Sequence, residues 1–282
     1  VRDNKILLEK DPEYINRLYM VGHPTLVKAW LDGDWDAVEG AFFTEWSQAK
    51  HVVRPFSIPK EWLRYCSMDW GSAKPFSVGW HAICGDDIKI NGKMIRRGCG
   101  VRYREWYGRG QAYNEGHKMT VEEVAEGIKR REGWKDGKPN PDEVIKFRVA
   151  DPNIFKTDGG PSHGERFSKA GIHFGPADNR RLPEVGHMVG WDLVRARLKA
   201  ENGDPMLVVF DTCTDLIRTI GVVQHDKTKP EDLDTESEDH ALDEERYFCA
   251  SRPFTPAAFK EKIAKRPKDG YAPRHSPSWR TL

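Results

Sequence analysis

The spacing of three strand-like stretches most restricts what this chain can fold into. These apolar stretches cover residues 64–69, 76–84 and 100–107, and the intervals between them leave no room for helices. Strands joined in this way form an antiparallel meander. Helix-like and strand-like stretches alternate after residue 120, so the sequence predicts an α/β domain with a mixed sheet flanked by helices.

Residues typical of helix starts and of turns indicate where the other elements of this domain lie. Thr120 and Glu123 form a capping box that predicts a helix ending near residue 131. The Asn91-Gly92 pair predicts a type I′ turn in a small hairpin over residues 88–95. The remaining predictions are strands over 144–151, 171–174 and 206–210, and helices over 190–200, 213–222 and 239–250.

The chain of 282 residues is predicted to have three regions. Residues 1–52 are predicted to be helical, with a first helix starting at Asp11-Pro12, and the tryptophans in this region are expected to have a structural role. These tryptophans are Trp30, Trp35 and Trp46. Residues 53–250 carry the α/β pattern, and residues 251–282 form a basic tail.

Three acidic residues stand at the ends of predicted elements. Asp69 and Asp151 end strand-like stretches, whereas Asp239 opens the last helix-like stretch. Carboxylates at strand ends and at a helix start can converge on one point, where acids without basic partners repel one another. A divalent cation would neutralise them, so convergence would imply Mg²⁺ or Mn²⁺ and metal-assisted phosphodiester hydrolysis.

Each of these acids also has a simpler explanation. An Asp at a strand end often forms a turn, and Asp239 alone would be a helix cap, so only their joint occurrence favours metal binding. Asp69 is the candidate that bridges two ions. Asp243 lies four residues after Asp239 on the same helix face, and either one could be the principal third ligand. Three further acids are predicted to be a helix N-cap, a loop residue and a paired or exposed strand residue: Asp211, Asp178 and Glu105.

The residues around these acids resemble a known family. The motifs that carry the resemblance are Met68-Asp69-Trp70-Gly71, Ala150-Asp151-Pro152-Asn153-Ile154-Phe155, Gly190-Trp191, Asp211-Thr212-Cys213, and the stretch from Glu231-Asp232 through Glu238-Asp239-His240-Ala241-Leu242-Asp243 to Arg246-Tyr247. In this order they resemble the C-terminal nuclease half of the large terminase subunits of tailed phages. The resemblance implies a ribonuclease H-like or Holliday-resolvase-like mixed sheet flanked by helices.

The same resemblance implies an activity and partners. It implies an endonuclease that cuts double-stranded DNA concatemers in the host cytoplasm during genome packaging, with two Mg²⁺ or Mn²⁺ ions held by Asp69, Asp151, Asp239 and Asp243. The implied partners are the viral portal protein, the small terminase subunit and an ATPase domain of the same full-length chain. No GxxxxGK[ST] motif occurs in these residues, so we expect no ATPase activity from this fragment.

One departure from the family pattern lies next to the acids. The family often has a small apolar pair after the last Asp, and this chain has Glu244-Glu245 there. Two interpretations are open, since the helix could turn these glutamates to solvent or they could modulate metal affinity. We expect them to face solvent, because charged stretches of a helix are usually solvated.

The charge distribution points to phosphate contacts of low sequence specificity. Net charge is only +1, but residues 226–245 are acidic and residues 251–282 are basic. Phosphate contacts supply affinity without reading bases, and no stretch resembles a base-reading helix. The candidate contacts are Lys74, Arg180 and Arg181 in loops, and Lys260, Lys262, Lys265 and Arg266 in the tail.

Other classes of protein are disfavoured or remain as alternatives. The five cysteines form no CxxC pair, the ten histidines form no HxH or HExxH pair, and no apolar stretch is long enough to span a membrane. One alternative is a Holliday-junction resolvase or transposase-like nuclease with the same acids. The other is a module without catalysis that docks on the portal.

Overall fold

The computed structural model describes residues 31, 40–182, 187–199 and 203–252. Numbered along the chain, the strands in this part are β1 (Val52–Val53), β2 (Leu63–Asp69), β3 (Ser77–Ile83), β4 (Ile88–Ile90), β5 (Lys93–Ile95), β6 (Gly100–Tyr107), β7 (Ile145–Ala150), β8 (Gly175–Pro176) and β9 (Leu207–Phe210). The helices are α1 (Gln48–His51), α2 (Val121–Arg131), α3 (His163–Lys169), α4 (Trp191–Leu198), α5 (Thr214–Ile220) and α6 (His240–Ser251), and a 3₁₀ turn covers Pro152–Phe155.

Seven strands form one mixed sheet in the order β1-β9-β6-β3-β2-β7-β8. The pairs β2/β3 and β3/β6 are antiparallel, which confirms the predicted meander. The pairs β2/β7, β7/β8, β6/β9 and β1/β9 are parallel. A meander extended by parallel strands and flanked by helices confirms the predicted ribonuclease H-like class.

The side chains of β2 alternate between two helical layers. Tyr65, Ser67 and Asp69 face the layer that contains α6, whereas Cys66 and Met68 pack with apolar side chains of α2 and α3. This alternation follows from the two-residue period of a strand. Asp69 therefore ends β2 on the face that α6 covers.

Helix α6 crosses the middle of the sheet. It lies against β2, β3 and β7 and packs against α4 and α5. Apolar residues on this face form the larger core, which includes Trp191 of α4 and Phe248 of α6. Trp46 is buried in the same core and stacks on His51 with ring centroids 5.0 Å apart, so it has the structural role expected for it.

The local turn chemistry explains where elements begin and end. Thr120 and Glu123 make the predicted capping box, and α2 ends at Arg131 as expected. The hairpin β4/β5 turns at Asn91 and Gly92 with φ of 52° and 82°, the left-handed values that a type I′ turn requires. The other predicted helices of the α/β region agree with the observed bounds to within two residues.

The predicted strand over residues 171–174 is wrong. The chain still closes the end of α3 there, because the amide of Ile172 donates to the carbonyl of Phe167 and Gly171 has a φ of 84°. Pairing with β7 starts only at Gly175, opposite Val149.

Two sequence predictions fall outside the described residues. These are the helix starting at Asp11-Pro12 and the roles of Trp30 and Trp35. In the part of the chain that the structure covers, no helix has both the length and the apolar character needed to cross a membrane.

Candidate metal centre

Two of the predicted acids lie side by side at the end of the sheet. Strands β2 and β7 are parallel neighbours with Met68 paired to Ala150, so Asp69 and Asp151 leave the sheet at the same edge. The amide of Asp151 still donates to the carbonyl of Met68 over 3.2 Å. Pro152 then opens the 3₁₀ turn, and the Asp151 Oδ1 atom accepts a hydrogen bond from the amide of Asn153.

Helix α6 brings two adjacent rows of side chains to this edge. The row His240, Glu244 and Phe248 faces the sheet: His240 Nδ1 lies 3.0 Å from Asp69 Oδ2, and Glu244 accepts a hydrogen bond from Ser67. The neighbouring row contains Asp239, Asp243 and Tyr247, and the Tyr247 hydroxyl donates to Asp151 Oδ2 over 3.2 Å. Four-residue spacing on a helix aligns each row.

The environment of Asp69 makes its carboxyl group harder to ionise when no metal is bound. Burial raises the pKa of Asp69 to about 6, and the negative charges of Asp243 and Asp151 act in the same direction, against the hydrogen bond from His240. Burial alone would lower the pKa of His240, but its contact with Asp69 raises it overall. The other ring nitrogen of His240 lies 3.0 Å from Asn114 Oδ1, so a doubly protonated ring can donate to both oxygens.

Asp239 lies in a similar environment at the start of α6. Burial and the charge of Asp243 raise its pKa to about 7, although Arg181 counteracts them. Arg181 Nη2 lies 3.2 Å from Asp239 Oδ2 and Nη1 lies 2.7 Å from Asp243 Oδ2. Arg246 Nη2 lies 2.7 Å from the other oxygen of Asp243.

The acids therefore converge, but they do have basic partners, contrary to the premise drawn from the sequence. Each oxygen of Asp243 is held by an arginine. In contrast, no hydrogen bond from the described residues reaches Oδ1 of Asp69 or Oδ1 of Asp239. This difference favours Asp239 over Asp243 as the residue that can offer an oxygen to a ligand.

Glu244 and Glu245 do not face solvent, so that expectation is wrong. Both are fully buried behind the acids, because Arg102 on β6 reaches them across the sheet face. Arg102 Nη1 lies 2.5 Å from Glu244 Oε2 and 2.9 Å from Glu245 Oε2, and His81 Nε2 lies 2.9 Å from the latter atom. The glutamate pair of α6 thus anchors the helix to the sheet.

The weaker acidic candidates have structural environments. Glu105 is a paired strand residue, and it caps α5 by accepting from the amides of Asp215 and Leu216. Asp211 is not the N-cap of α5, because Cys213 holds that position and Asp211 is exposed in the preceding turn. Asp178 pairs with Arg180 over 2.9 Å.

The predicted phosphate contacts are spread over different environments. Lys74 is exposed in the loop between β2 and β3, and Arg180 is half-exposed beside Asp178. Arg181 makes its contacts with the acids instead. Lys260, Lys262, Lys265 and Arg266 lie outside the described residues.

The chemistry of the donor set fits Mg²⁺ or Mn²⁺, since aspartate oxygens are the ligands that these hard cations prefer. Asp69, Asp151 and Asp239 supply such oxygens from three elements. Within the described ranges, no three His, Cys, Asp or Glu side chains are already arranged around an ion position. His240 and Tyr247 each hold one oxygen of Asp69 and Asp151, whereas Arg181 contacts oxygens of both Asp239 and Asp243.

Four residues of this site were missed or misassigned from the sequence: His240, Tyr247, Arg181 and Arg246. His240 and Tyr247 could have been found, because they lie one and eight positions after Asp239 on the same helix. Arg246 gave the same signal, since it lies three residues after Asp243 on this helix, but Arg181 gave none. Arg181 comes from a loop 58 residues away from Asp239.

The stability of the metal-free protein is expected to fall as the pH rises from 5 to 8. The pKa values of Asp69 and Asp239 are raised from 3.8 to about 6 and about 7, so the folded state binds these protons more tightly than the unfolded chain. This stabilisation is complete below the unfolded pKa and is lost as the pH passes the folded pKa. In EDTA the Tm should fall by roughly 5 °C over this range.

The Asp239→Asn variant serves as the control for this pH dependence. It lacks one of the two carboxyl groups, so its Tm should fall less between pH 5 and 8 than that of the wild type. A Tm that rises over this range in the wild type, or an equal fall in both proteins, would contradict the assignment of raised pKa values.

Asp239→Asn and Asp243→Asn are expected to change metal-free stability in opposite directions. Asp243→Asn removes the charge that Arg181 and Arg246 share, and it should lower the free energy of unfolding by about 1–3 kcal/mol. Asp239→Asn removes a buried charge that Asp243 repels, so the free energy of unfolding should stay the same or increase. Urea unfolding in EDTA at pH 7.5 measures both; a larger loss for Asp239→Asn would be inconsistent with these environments.

Comparison with known proteins gives structural matches only. No known sequence family and no curated protein matches the chain. The large terminase of a thermophilic bacteriophage superposes on 75% of this chain in one crystal form, with 21% identity and a TM-score of 0.52. In another form, with ADP, the same terminase superposes on 88% of the chain, with 23% identity and a TM-score of 0.53.

These matches confirm the expected resemblance at the level of the fold. The chain spans about half the length of the thermophilic phage terminase, covering 44% and 52% of it in the two forms. The nuclease domain of the P22 large terminase superposes on 76% of this chain and 92% of its own length, with 14% identity. The TM-score of this superposition is 0.48.

Proposed function

We propose that this chain is the nuclease part of a phage large terminase, a metal-dependent endonuclease that cuts double-stranded DNA concatemers during packaging. The observation that carries this proposal is the convergence of Asp69, Asp151 and Asp239 from two adjacent strand ends and one helix start. The fold shared with the large terminase of the thermophilic phage supports it.

Two bound Mg²⁺ or Mn²⁺ ions would activate a water molecule and stabilise the leaving oxygen of the phosphodiester. Asp69 is the proposed bridging ligand, because it ends β2 beside Asp151, contacts α6 through His240 and keeps one oxygen without a hydrogen bond from the described residues. Asp151 and Asp239 would each bind one of the two ions. Asp243 is proposed as a secondary ligand.

Neighbouring side chains would orient these ligands. His240 holds one oxygen of Asp69 and leaves the other for a cation. Burial raises the pKa of Tyr247, so its hydroxyl stays protonated and can hold Asp151 in the same way. Such contacts behind a ligand fix its orientation and affect metal affinity.

Contacts with DNA phosphates are proposed for Lys74 and Arg180 and, in the basic tail, for Lys262, Lys265 and Arg266. Binding through a few phosphates predicts little sequence specificity and a strong dependence on salt. As in the family that it resembles, the proposed partners are the portal protein, the small terminase subunit and an ATPase domain of a longer chain. The proposed place of action is the cytoplasm of the infected host.

Plasmid cleavage tests the proposed activity. The purified chain should nick and linearise supercoiled plasmid in Mg²⁺ or Mn²⁺ without ATP, and EDTA should stop it, because the acids need a cation to act on a phosphodiester. Undiminished cleavage in EDTA would refute metal dependence. A four-way junction tested beside linear duplex separates the alternatives: a strong preference for the junction would favour a resolvase, and no cleavage of either would favour a docking module.

A further inference from the structure

Arg181 is the basic residue at the centre of the acid cluster. Its three guanidinium nitrogens contact three different carboxylates: Nε lies 3.0 Å from Asp232, Nη1 lies 2.7 Å from Asp243 and Nη2 lies 3.2 Å from Asp239. Among the described residues it is the one cation that forms an ion pair with Asp239. A planar guanidinium with donors on all sides is suited to such a position.

The surrounding structure fixes Arg181 in this position. Its carbonyl accepts a hydrogen bond from the amide of Trp191 at the start of α4, and its guanidinium lies over the Trp191 ring. The Trp191 indole donates to the same Asp232 oxygen that Arg181 contacts, over 2.7 Å. Gly190 has a φ of 58°, and a Cβ there would meet the Arg181 carbonyl at 2.0 Å. The close approach of the backbone at Gly190 to the backbone at Arg181 therefore requires glycine.

This position conflicts with metal binding at the same acids. Asp239 and Asp243 can direct these oxygens at a divalent cation or at the guanidinium, but not at both. A divalent ion a few ångströms from a guanidinium is also repelled by it, and the repulsion is strong because both acids are buried. Arg181 on Asp239 Oδ2 therefore competes with a cation for this carboxylate, even though Oδ1 accepts no hydrogen bond from the described residues.

We propose that Arg181 is the internal counter-ion of the metal-free site and that a divalent cation displaces it from Asp239 and Asp243. Arg181 thereby lowers the affinity of the site for metal while it keeps the acids together without metal. This inference rests on the proposed function, since it assumes that these acids bind the cation. Asp232 and Trp191 would retain the arginine nearby after displacement.

Mn²⁺ binding measured by calorimetry tests this inference directly. Arg181→Gln should bind Mn²⁺ at least about tenfold more tightly than the wild type, because the competing charge is gone. Arg166→Gln is the control: it removes an arginine of α3 that pairs with the exposed Glu122, and its Mn²⁺ affinity should stay within about twofold of wild type. Circular dichroism checks that each variant is folded.

A second measurement uses the wild-type protein and does not depend on the folding of a variant. The ¹H–¹⁵N resonance of the Arg181 Nε–H group, assigned by its absence in Arg181→Lys or Arg181→Gln, should shift when Mg²⁺ is added. Resonances of arginines far from the site, such as Arg96, should not move.

The outcomes separate this inference from the proposed function. Tighter Mn²⁺ binding by Arg181→Gln together with the shift of the Arg181 resonance supports it. Equal or weaker Mn²⁺ binding by Arg181→Gln, or an Arg181 resonance that does not shift at saturating Mg²⁺, overturns the inference about Arg181. The proposed function stands in that case if the wild type still binds metal and cleaves DNA. If the wild type binds no Mn²⁺, or if Asp69→Asn binds Mn²⁺ as tightly as the wild type, both the inference about Arg181 and the proposed function are overturned.

Discussion

Asp69→Asn is expected to reduce plasmid cleavage at least about a hundredfold, because this carboxylate would help to hold both ions, which would supply several kcal/mol of transition-state stabilisation. The fold should survive the change. Asn can still accept the hydrogen bond from His240, and the substitution removes a buried charge that Asp151 and Asp243 repel. Initial rates of nicking in Mn²⁺ and thermal melts in EDTA measure the two effects separately.

The control for this variant is Asp142→Asn, which removes an exposed aspartate that pairs only with Lys60 among the described residues. It should leave both the nicking rate and the Tm unchanged. Asp151→Asn and Asp239→Asn should resemble Asp69→Asn in activity. Wild-type rates for Asp69→Asn would exclude this residue as a ligand.

Arg102→Leu is expected to lower the free energy of unfolding by about 3–5 kcal/mol, because it leaves buried carboxylates without their positive partner. Arg102 contacts Glu105, Glu244 and Glu245, and all four side chains are almost fully shielded from water. For a domain of this size the loss corresponds to a fall in Tm of roughly 10 °C. Differential scanning calorimetry measures it.

The matched control comes from the same strand. Arg104 lies two residues after Arg102 on β6, and it pairs with Glu143 while its side chain remains 30% exposed. Arg104→Leu should cost less than half as much, because water can solvate the carboxylate left behind. Equal losses for the two variants would show that the buried cluster does not anchor α6.

The sequence was informative where the signal is local. Strand alternation and chain breaks located Asp69 and Asp151, since Pro152 stops β7 directly after the acid. The resemblance and the helix-like periodicity located Asp239 at the start of α6. These signals suffice to predict both the meander and the point where the acids meet.

The errors concern partners that are distant in sequence. Glu244 and Glu245 were predicted to face solvent, because their partner Arg102 lies on a strand more than 140 residues away in sequence. A local hint was the presence of Arg102 inside a predicted strand, with Glu105 three residues later. Arg181 looked like a phosphate contact for the same reason: nothing nearby in sequence shows that the loop folds onto α6.

Anomalous diffraction from crystals grown in Mn²⁺ tests the central claim most directly. The account predicts two manganese peaks a short distance apart, about 4 Å, between the side chains of Asp69, Asp151 and Asp239. It also predicts that the Arg181 guanidinium no longer contacts Asp239. No peak at these three side chains at saturating Mn²⁺, or peaks elsewhere on the protein only, would contradict it.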